Sequence, residues 1–313
     1  MSVIAERSGA QSSGGVKRRA SLRAQARFWD RVVTGILWGV ASGVVLLLAF
    51  IIIYLLAKGL NVLSWNFITQ ANVLATYDGP EVFNTFYIII LALLICIPFA
   101  LCAAIYLVEY ARQSRYTTLV RFATETLAGV PSIILGLFGF LIFVTNFGQG
   151  TRLGYSRLAG ALTLVILNLP VLLSVFEDAL RKVPNELREA SEALGANKLQ
   201  TVGRVLIPTA FPSLITGVIL TAGKMIGETA ALIYTAGGSS SVNGWFSLNP
   251  LTSGDTLTIK LYTLQAEGIT PNAAHVAAGT ATLLIVLLLA FNLGLRFAAN
   301  YINKRITGTG HTR

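Results

Sequence analysis

Pro184-Asn185-Glu186-Leu187-Arg188-Glu189-Ala190-Ser191-Glu192-Ala193-Leu194-Gly195 is a charged stretch lodged between two apolar ones. It continues to Val205-Leu206-Ile207-Pro208. It then enters an apolar run holding two opposite charges, in Gly223-Lys224-Met225-Ile226-Gly227-Glu228-Thr229-Ala230. Val183, Leu187, Ala190 and Leu194 recur at steps of three and four residues, the spacing of one helical face. Pro184-Asn185-Glu186 suits a helix start. Gly195 suits its stop, because glycine enters the left-handed region without a Cβ penalty. The pattern predicts a short charged helix between two membrane spans. Such a helix either lies on the bilayer surface or docks against a soluble partner, and the residues alone leave both open.

Working outward, hydrophobic residues make up 54% of the chain and charged residues 12%, against about 25% charged in soluble domains. That composition belongs to an integral membrane protein. Six apolar runs, at 32–57, 85–108, 124–147, 158–176, 213–234 and 275–296, predict an all-α membrane protein with six transmembrane helices. The first follows basic residues as a signal peptide does, but its length gives roughly 39 Å of helix. That is longer than a cleavable apolar segment, so it reads as a retained span. The expected organisation is a basic tail (1–30), the first span (31–57), an outward loop (58–84), a core of five spans (85–300) and a second tail (301–313). Within the core, 177–211 is an inward loop and 236–274 an outward one. Pro98 is expected to kink its span and Pro170 to interrupt its own. Gly136 and Gly139 fit close helix packing.

The net charge of +10 needs no nucleic acid. With both termini inside, the inward segments hold 19 of the 24 Lys and Arg residues. The outward segments hold Lys58, Arg152, Arg157 and Lys260, and Lys224 sits within a span. Such a bias sets orientation, and the basic segments suit anionic membrane lipid. Trp65, Phe67, Trp245 and Phe246 in the outward loops read as interfacial anchors, with partner docking as the other reading. Residues 255–267 are expected to form a short helix near the interface. Cys96 and Cys102 read as small core residues, and neither His275 nor His311 has partners at metal-ligand spacing.

Lys224 and Glu228 stand four residues apart. An ionisable side chain inside a span costs about 2.5–3.5 kcal/mol and usually faces the bundle interior or a watery path. On one helix face each would offset the other's burial. The pair is then either a structural ion pair or, with Thr229, part of a path for a polar solute. The chain has no G-x-x-x-x-G-K-[ST] loop, no H-E-x-x-H and no nucleophilic triad. It reads as no enzyme, and an ATPase would be a separate chain.

Glu189-Ala190-Ser191, Gly195, and then Val205, Ile207 and Pro208 resemble the E-A-A-x3-G-x9-I-x-L-P motif of permease subunits of ATP-binding-cassette importers. Spacing is kept, with departures at Ser191, Val205 and Ile207. The resemblance implies a type I importer permease fold and a helix that inserts into a groove of the ATPase. Glu189 and Gly195 would be docking residues, Ala190 and Leu194 would face the groove, and Pro208 would close the motif.

Asn84-Thr85, Ala104 to Ala111, Gly129 to Gly139, Glu177 to Leu180, Val183-Pro184 and Gly227 to Ala230 are similar to the phosphate-importer permeases of the PstA type. That similarity covers roughly residues 30 to 300. It implies a PstC-like second permease, two PstB-like ATPase subunits that hold ATP and Mg, and an extracytoplasmic PstS-like phosphate-binding protein. It also implies a bacterial inner-membrane location and no cofactor in this chain. Lys224 stands where Arg is expected, and Ser174 where a basic residue is common. Arg offers phosphate a bidentate fork, whereas Lys offers a point charge. A permease for molybdate or sulfate, or an ion-coupled secondary transporter, are the alternatives.

Overall fold

The computed structural model describes residues 3–70, 78–111, 114–145, 153–237, 246–267 and 272–307. Every regular element among them is helical. The chain divides into two compact units, 1–57 and 58–313. Helix α1 (Val3–Gly59) supplies the first unit over its residues 3–57. Its backbone is helical well before the apolar run begins, because no proline interrupts the first 79 residues. Within the span Trp29–Gly59, the 18-residue apolar window has no buried residue.

The second unit is built around α3 (Gly79–Ile105), which ends in a π-helical turn over Tyr106–Tyr110, and α6 (Arg157–Arg181). Along α3, Ala92, Cys96, Ala100 and Ala104 repeat every four residues and are fully buried. Small side chains let backbones approach closely where lipid offers no hydrophobic drive for association. Leu164, Leu172, Phe176 and Leu180 of α6 fill the same core. Pro98 lies inside α3 and Pro170 inside α6, and the expected interruption at Pro170 does not occur.

The run 124–147 is not one straight span. Helix α4 (Arg115–Ala128) and α5 (Ser132–Gly139), which continues as a π-helical turn over Phe140–Thr145, meet at 100°. Pro131 lacks an N–H and disfavours a helical Val130, so the chain turns at Gly129-Val130-Pro131. No side chain of α4 is buried. Among the described residues five helices are therefore long and apolar enough to cross a membrane, or six if this bent pair counts as one.

After α7 (Asn185–Ala193) the chain forms one continuous span, Lys198–Ile226. It consists of α8 (Lys198–Thr201), a π-helical turn (Val202–Leu206) and α9 (Ile207–Ile226). It ends at Ile226 and not near residue 234. The segment after it folds against α5, where Gly136 lies so close that a Cβ there would stand 2.7 Å from Ala231 Cα. Gly139 packs in the same way on Thr163, so the close-packing expectation for these glycines holds.

Helix α10 (Leu257–Glu267) forms where a short helix was expected, with its first turn buried and Tyr262 54% exposed. Phe67 of α2 (Trp65–Thr69) is no anchor. It packs with Leu257, Leu264 and Val276 beneath α11 (Ala273–Thr307). Trp65 is 77% exposed, as an anchor would be. Trp245 and His311 lie outside the described residues.

Candidate functional site

Helix α7 stands on the surface with no buried residue. Pro184 starts it with extended ψ, and Glu186 lies in its first turn, where a negative charge suits the helix dipole. Gly195 ends it at φ +85°, a conformation in which a Cβ is costly. The next turn is fixed by a capping box in which Asn197 and Gln200 exchange side-chain-to-backbone hydrogen bonds. Glu189 and Ala190 are exposed, and Leu194 is 90% exposed. A leucine that open at a helix end is available to a partner or to lipid, and Glu189, Ala190, Leu194 and Gly195 share one projecting segment. Pro208 lies apart from it, inside the first turn of α9.

The back of α7 is held firmly. Arg188 Nε donates to Glu109 Oε1 at 3.0 Å, Nη1 to Val183 O at 3.1 Å, and Nη2 to Leu180 O at 2.9 Å. Nη1 also bonds Asn185 Oδ1. One guanidinium thus joins the start of α7, the end of α6 and the π-helical end of α3. Ser191 and Thr201 hydroxyls lie 2.9 Å apart, linking α7 to α8. Lys198 Nζ reaches Glu109 O at 3.4 Å and lies 6.0 Å from the Tyr110 ring centre. Nearby, Glu177 takes Arg121 at 2.7 Å and Arg181 at 2.6 Å, tying α4 to α6.

Lys224 and Glu228 are not brought together as an ion pair on one helix face. The helix ends between them: Gly227 N donates to Lys224 O and Glu228 N to Met225 O, both at 3.2 Å. These i→i−3 bonds tighten the last turn, so the four-residue spacing no longer aligns the two side chains. Lys224 is exposed at the end of α9. Glu228 and Thr229 are half-buried in the following turn, where Glu228 Oε1 accepts from Ala231 N at 3.4 Å. Thr258 donates to Glu228 O at 3.0 Å, tying this turn to α10.

The principal buried charges lie elsewhere. Lys260 Nζ stands 2.9 Å from Asp78 Oδ1 and 3.2 Å from Glu81 Oε1, with all three side chains 8% exposed or less. Asp255 is buried beside them. Burial, then the charge of Glu81, pushes its carboxyl up to about 7, against the opposing pull of Lys260. Burial raises Asp78 in the same direction. Thr85 Oγ1 accepts from Leu257 N at 3.0 Å, fastening the start of α10 to α3.

Arg157 is fully buried at the start of α6, 5.6 Å from the ring centres of both Phe83 and Tyr87, and it donates to Ser247 O. Gly254 leaves just enough room for it: a Cβ there would stand 2.7 Å from Arg157 Nε and 2.8 Å from Asn84 Nδ2. Sequence reading treated Lys260 and Arg157 as loop charges. The acid pair Asp78 and Glu81, flanking Gly79-Pro80 in a chain poor in charge, was the available sign of a buried partner. Among the described residues no group of three or more His, Cys, Asp or Glu could hold a metal ion. Cys96 and Cys102 are free thiols, the first buried and the second exposed.

Among the described residues the structure is a set of apolar helices long enough to cross a membrane, with one short charged helix exposed at the surface. The chain belongs to the family of binding-protein-dependent transport system inner membrane components, whose model matches residues 96–308. It is a permease subunit of an ATP-binding-cassette importer, and that family works with ATPase and binding-protein partners. It is 36% identical over 290 residues to a probable ABC transporter permease protein, YqgI of Bacillus subtilis, covering 89% of this chain and 97% of that one. It is 31% identical over 265 residues to the phosphate transport system permease protein PstA of Haemophilus influenzae, covering 83% and 88%. In fold it resembles a chain of a bacterial ABC transporter involved in import of the acidic polysaccharide alginate. There the TM-score is 0.60 at 15% identity, over 90% of this chain and 99% of that one.

Proposed function

We propose that this chain is the PstA-type permease subunit of an ATP-driven importer for inorganic phosphate. Both termini would be cytoplasmic, in a bacterial inner membrane. The observation that carries the substrate is the extended likeness to phosphate permeases: 31% over most of the Haemophilus influenzae PstA, and 43% over 154 residues, 49% of this chain, to PstA 1 of Mycobacterium tuberculosis. Its partners would be a PstC-like permease, two PstB-like ATPase subunits and a PstS-like phosphate-binding protein. ATP and Mg would be held by the ATPases.

In this reading, Glu189, Ala190, Leu194 and Gly195 form the surface that enters the ATPase groove, and Pro208 lies in the first turn of α9, within the span that the movement reaches. Closure of the ATPase dimer moves α7, the spans tilt, and the anion passes by alternating access. Lys224, Glu228 and Thr229 would line its way. The open position of Lys224 supports that assignment, since a lone ammonium attracts an anion without the two-pronged grip that would retain it.

A second reading, the same machine for molybdate or sulfate, is favoured by that same lysine and by Ser174, because neither supplies an Arg fork. Labelled phosphate uptake decides between them. The assay uses cells lacking their own high-affinity permease, with the cognate partners co-expressed and molybdate or sulfate as competitors. Uptake competed by arsenate alone supports phosphate. Uptake of another oxyanion keeps the machine and discards the substrate.

A further inference from the structure

Two of the polar contacts that tie helix α7 to the spans lie at π-helical turns. Arg188 meets Glu109 within the turn Tyr106–Tyr110 at the end of α3, with the two side chains 17% and 14% exposed. Ser191 meets Thr201, the residue immediately before the turn Val202–Leu206 that leads into α9. A π-helical turn closes on the fifth residue, as Ala111 N does on Tyr106 O at 2.8 Å, and it holds one residue more than the helix around it. Such a turn can absorb or release a rotation that a regular helix would resist. Arg188 is also the one side chain of α7 that bonds the ends of two spans, through Glu109 for α3 and through the Leu180 and Val183 carbonyls for α6. Its fork faces away from the exposed Ala190 and Leu194 surface, so it acts behind the docking face. Charge-assisted bonds at this partial burial are stiffer than neutral ones.

We propose that Arg188 is a positioning residue for energy coupling, passing displacement of α7 into α3 through Glu109, while Ser191 and Thr201 pass it into α9. This rests on the reading of α7 as the ATPase-coupled helix.

The test uses the full complex reconstituted in vesicles, with inorganic phosphate as solute. It reads phosphate moved per ATP hydrolysed, a ratio that does not depend on how much complex is folded. Arg188→Gln and Glu109→Gln each lower that ratio about tenfold, with wild-type amounts of ATPase still bound. The double variant falls no lower than the worse single one, because both act through one contact. Arg188→Lys, which keeps the charge beside Glu109, recovers part of the loss. The inference is overturned if either Gln variant couples within twofold of wild type, or if the two losses multiply in the double variant. Should a Gln variant fail to insert into the membrane, Arg188→Lys carries the test alone: coupling equal to wild type overturns the inference, and a lowered ratio supports it. Loss of bound ATPase in Arg188→Gln also counts against it, since it would place Arg188 on the docking face. Absence of ATP-driven phosphate uptake in the wild type would instead overturn the underlying function, a separate result.

Discussion

Asp255→Asn should make the protein more stable at neutral pH, by a margin that shrinks as the pH falls. Asp255 is buried beside Glu81 and Lys260, and its carboxyl titrates at about 7 instead of 3.8. The folded state therefore holds this proton more tightly than the unfolded state. Stability associated with the bound proton is intact below pH 4, erodes as pH rises, and is gone above about 7. A shift of about three units at 1.36 kcal/mol each amounts to about 4 kcal/mol of destabilisation at alkaline pH. Asparagine has the shape of the protonated acid and never ionises. The variant's advantage should thus be about 1.5 kcal/mol at pH 5 and about 4 kcal/mol at pH 8. Comparing the two proteins cancels the titrating groups that do not interact with Asp255. Melting curves of the purified complex in detergent, taken from pH 5 to 8.5, would show the gap in midpoint widening by roughly 5–10 °C. A gap that stays constant across that range would refute the reasoning, because it would mean that Asp255 is ionised throughout.

Gly254→Ala should lower the melting midpoint through a loss of about 1–3 kcal/mol, since its methyl must displace Arg157 and Asn84. Gly294→Ala, with nothing within 4 Å, should be harmless in the same assay. Gly195→Ala forces a Cβ into φ +85° at a cost of about 1–2 kcal/mol. It should weaken ATPase co-purification about tenfold while membrane insertion is unchanged. Lys224→Gln should cut phosphate uptake tenfold or more at equal membrane abundance; undiminished uptake would remove Lys224 from the anion's route.

What could be read from the chain was what depends on local order. The projecting helix α7 was legible because its start, its stop and its charge all lie within twelve consecutive residues, and packing does not override a segment that buries nothing. The break at Gly129-Val130-Pro131 was present in the letters but hidden by an apolar run that continues past it; hydropathy measures solubility in lipid, not direction of travel. The pairing of Lys224 with Glu228 assumed a helix through Gly227, yet that glycine ends the helix one residue before the acid. The buried lysine cluster had no periodic signal, because Asp78 and Lys260 lie far apart in the sequence.

Energetics explains why that cluster exists at all. A membrane chain with only 14 acidic residues places Asp78, Glu81 and Asp255 around a single buried ammonium. Removing ions from water costs several kcal/mol each, which one lysine cannot offset for three carboxylates. The surplus charge is relieved by protonation, and Asp255, beside Glu81, is the group outside the spans that shows it most clearly. Lys260 and Asp255 lie on either side of Thr258, whose hydroxyl bonds the carbonyl of Glu228. A proton gained or lost at Asp255 therefore acts three residues away from a contact with the turn that follows α9.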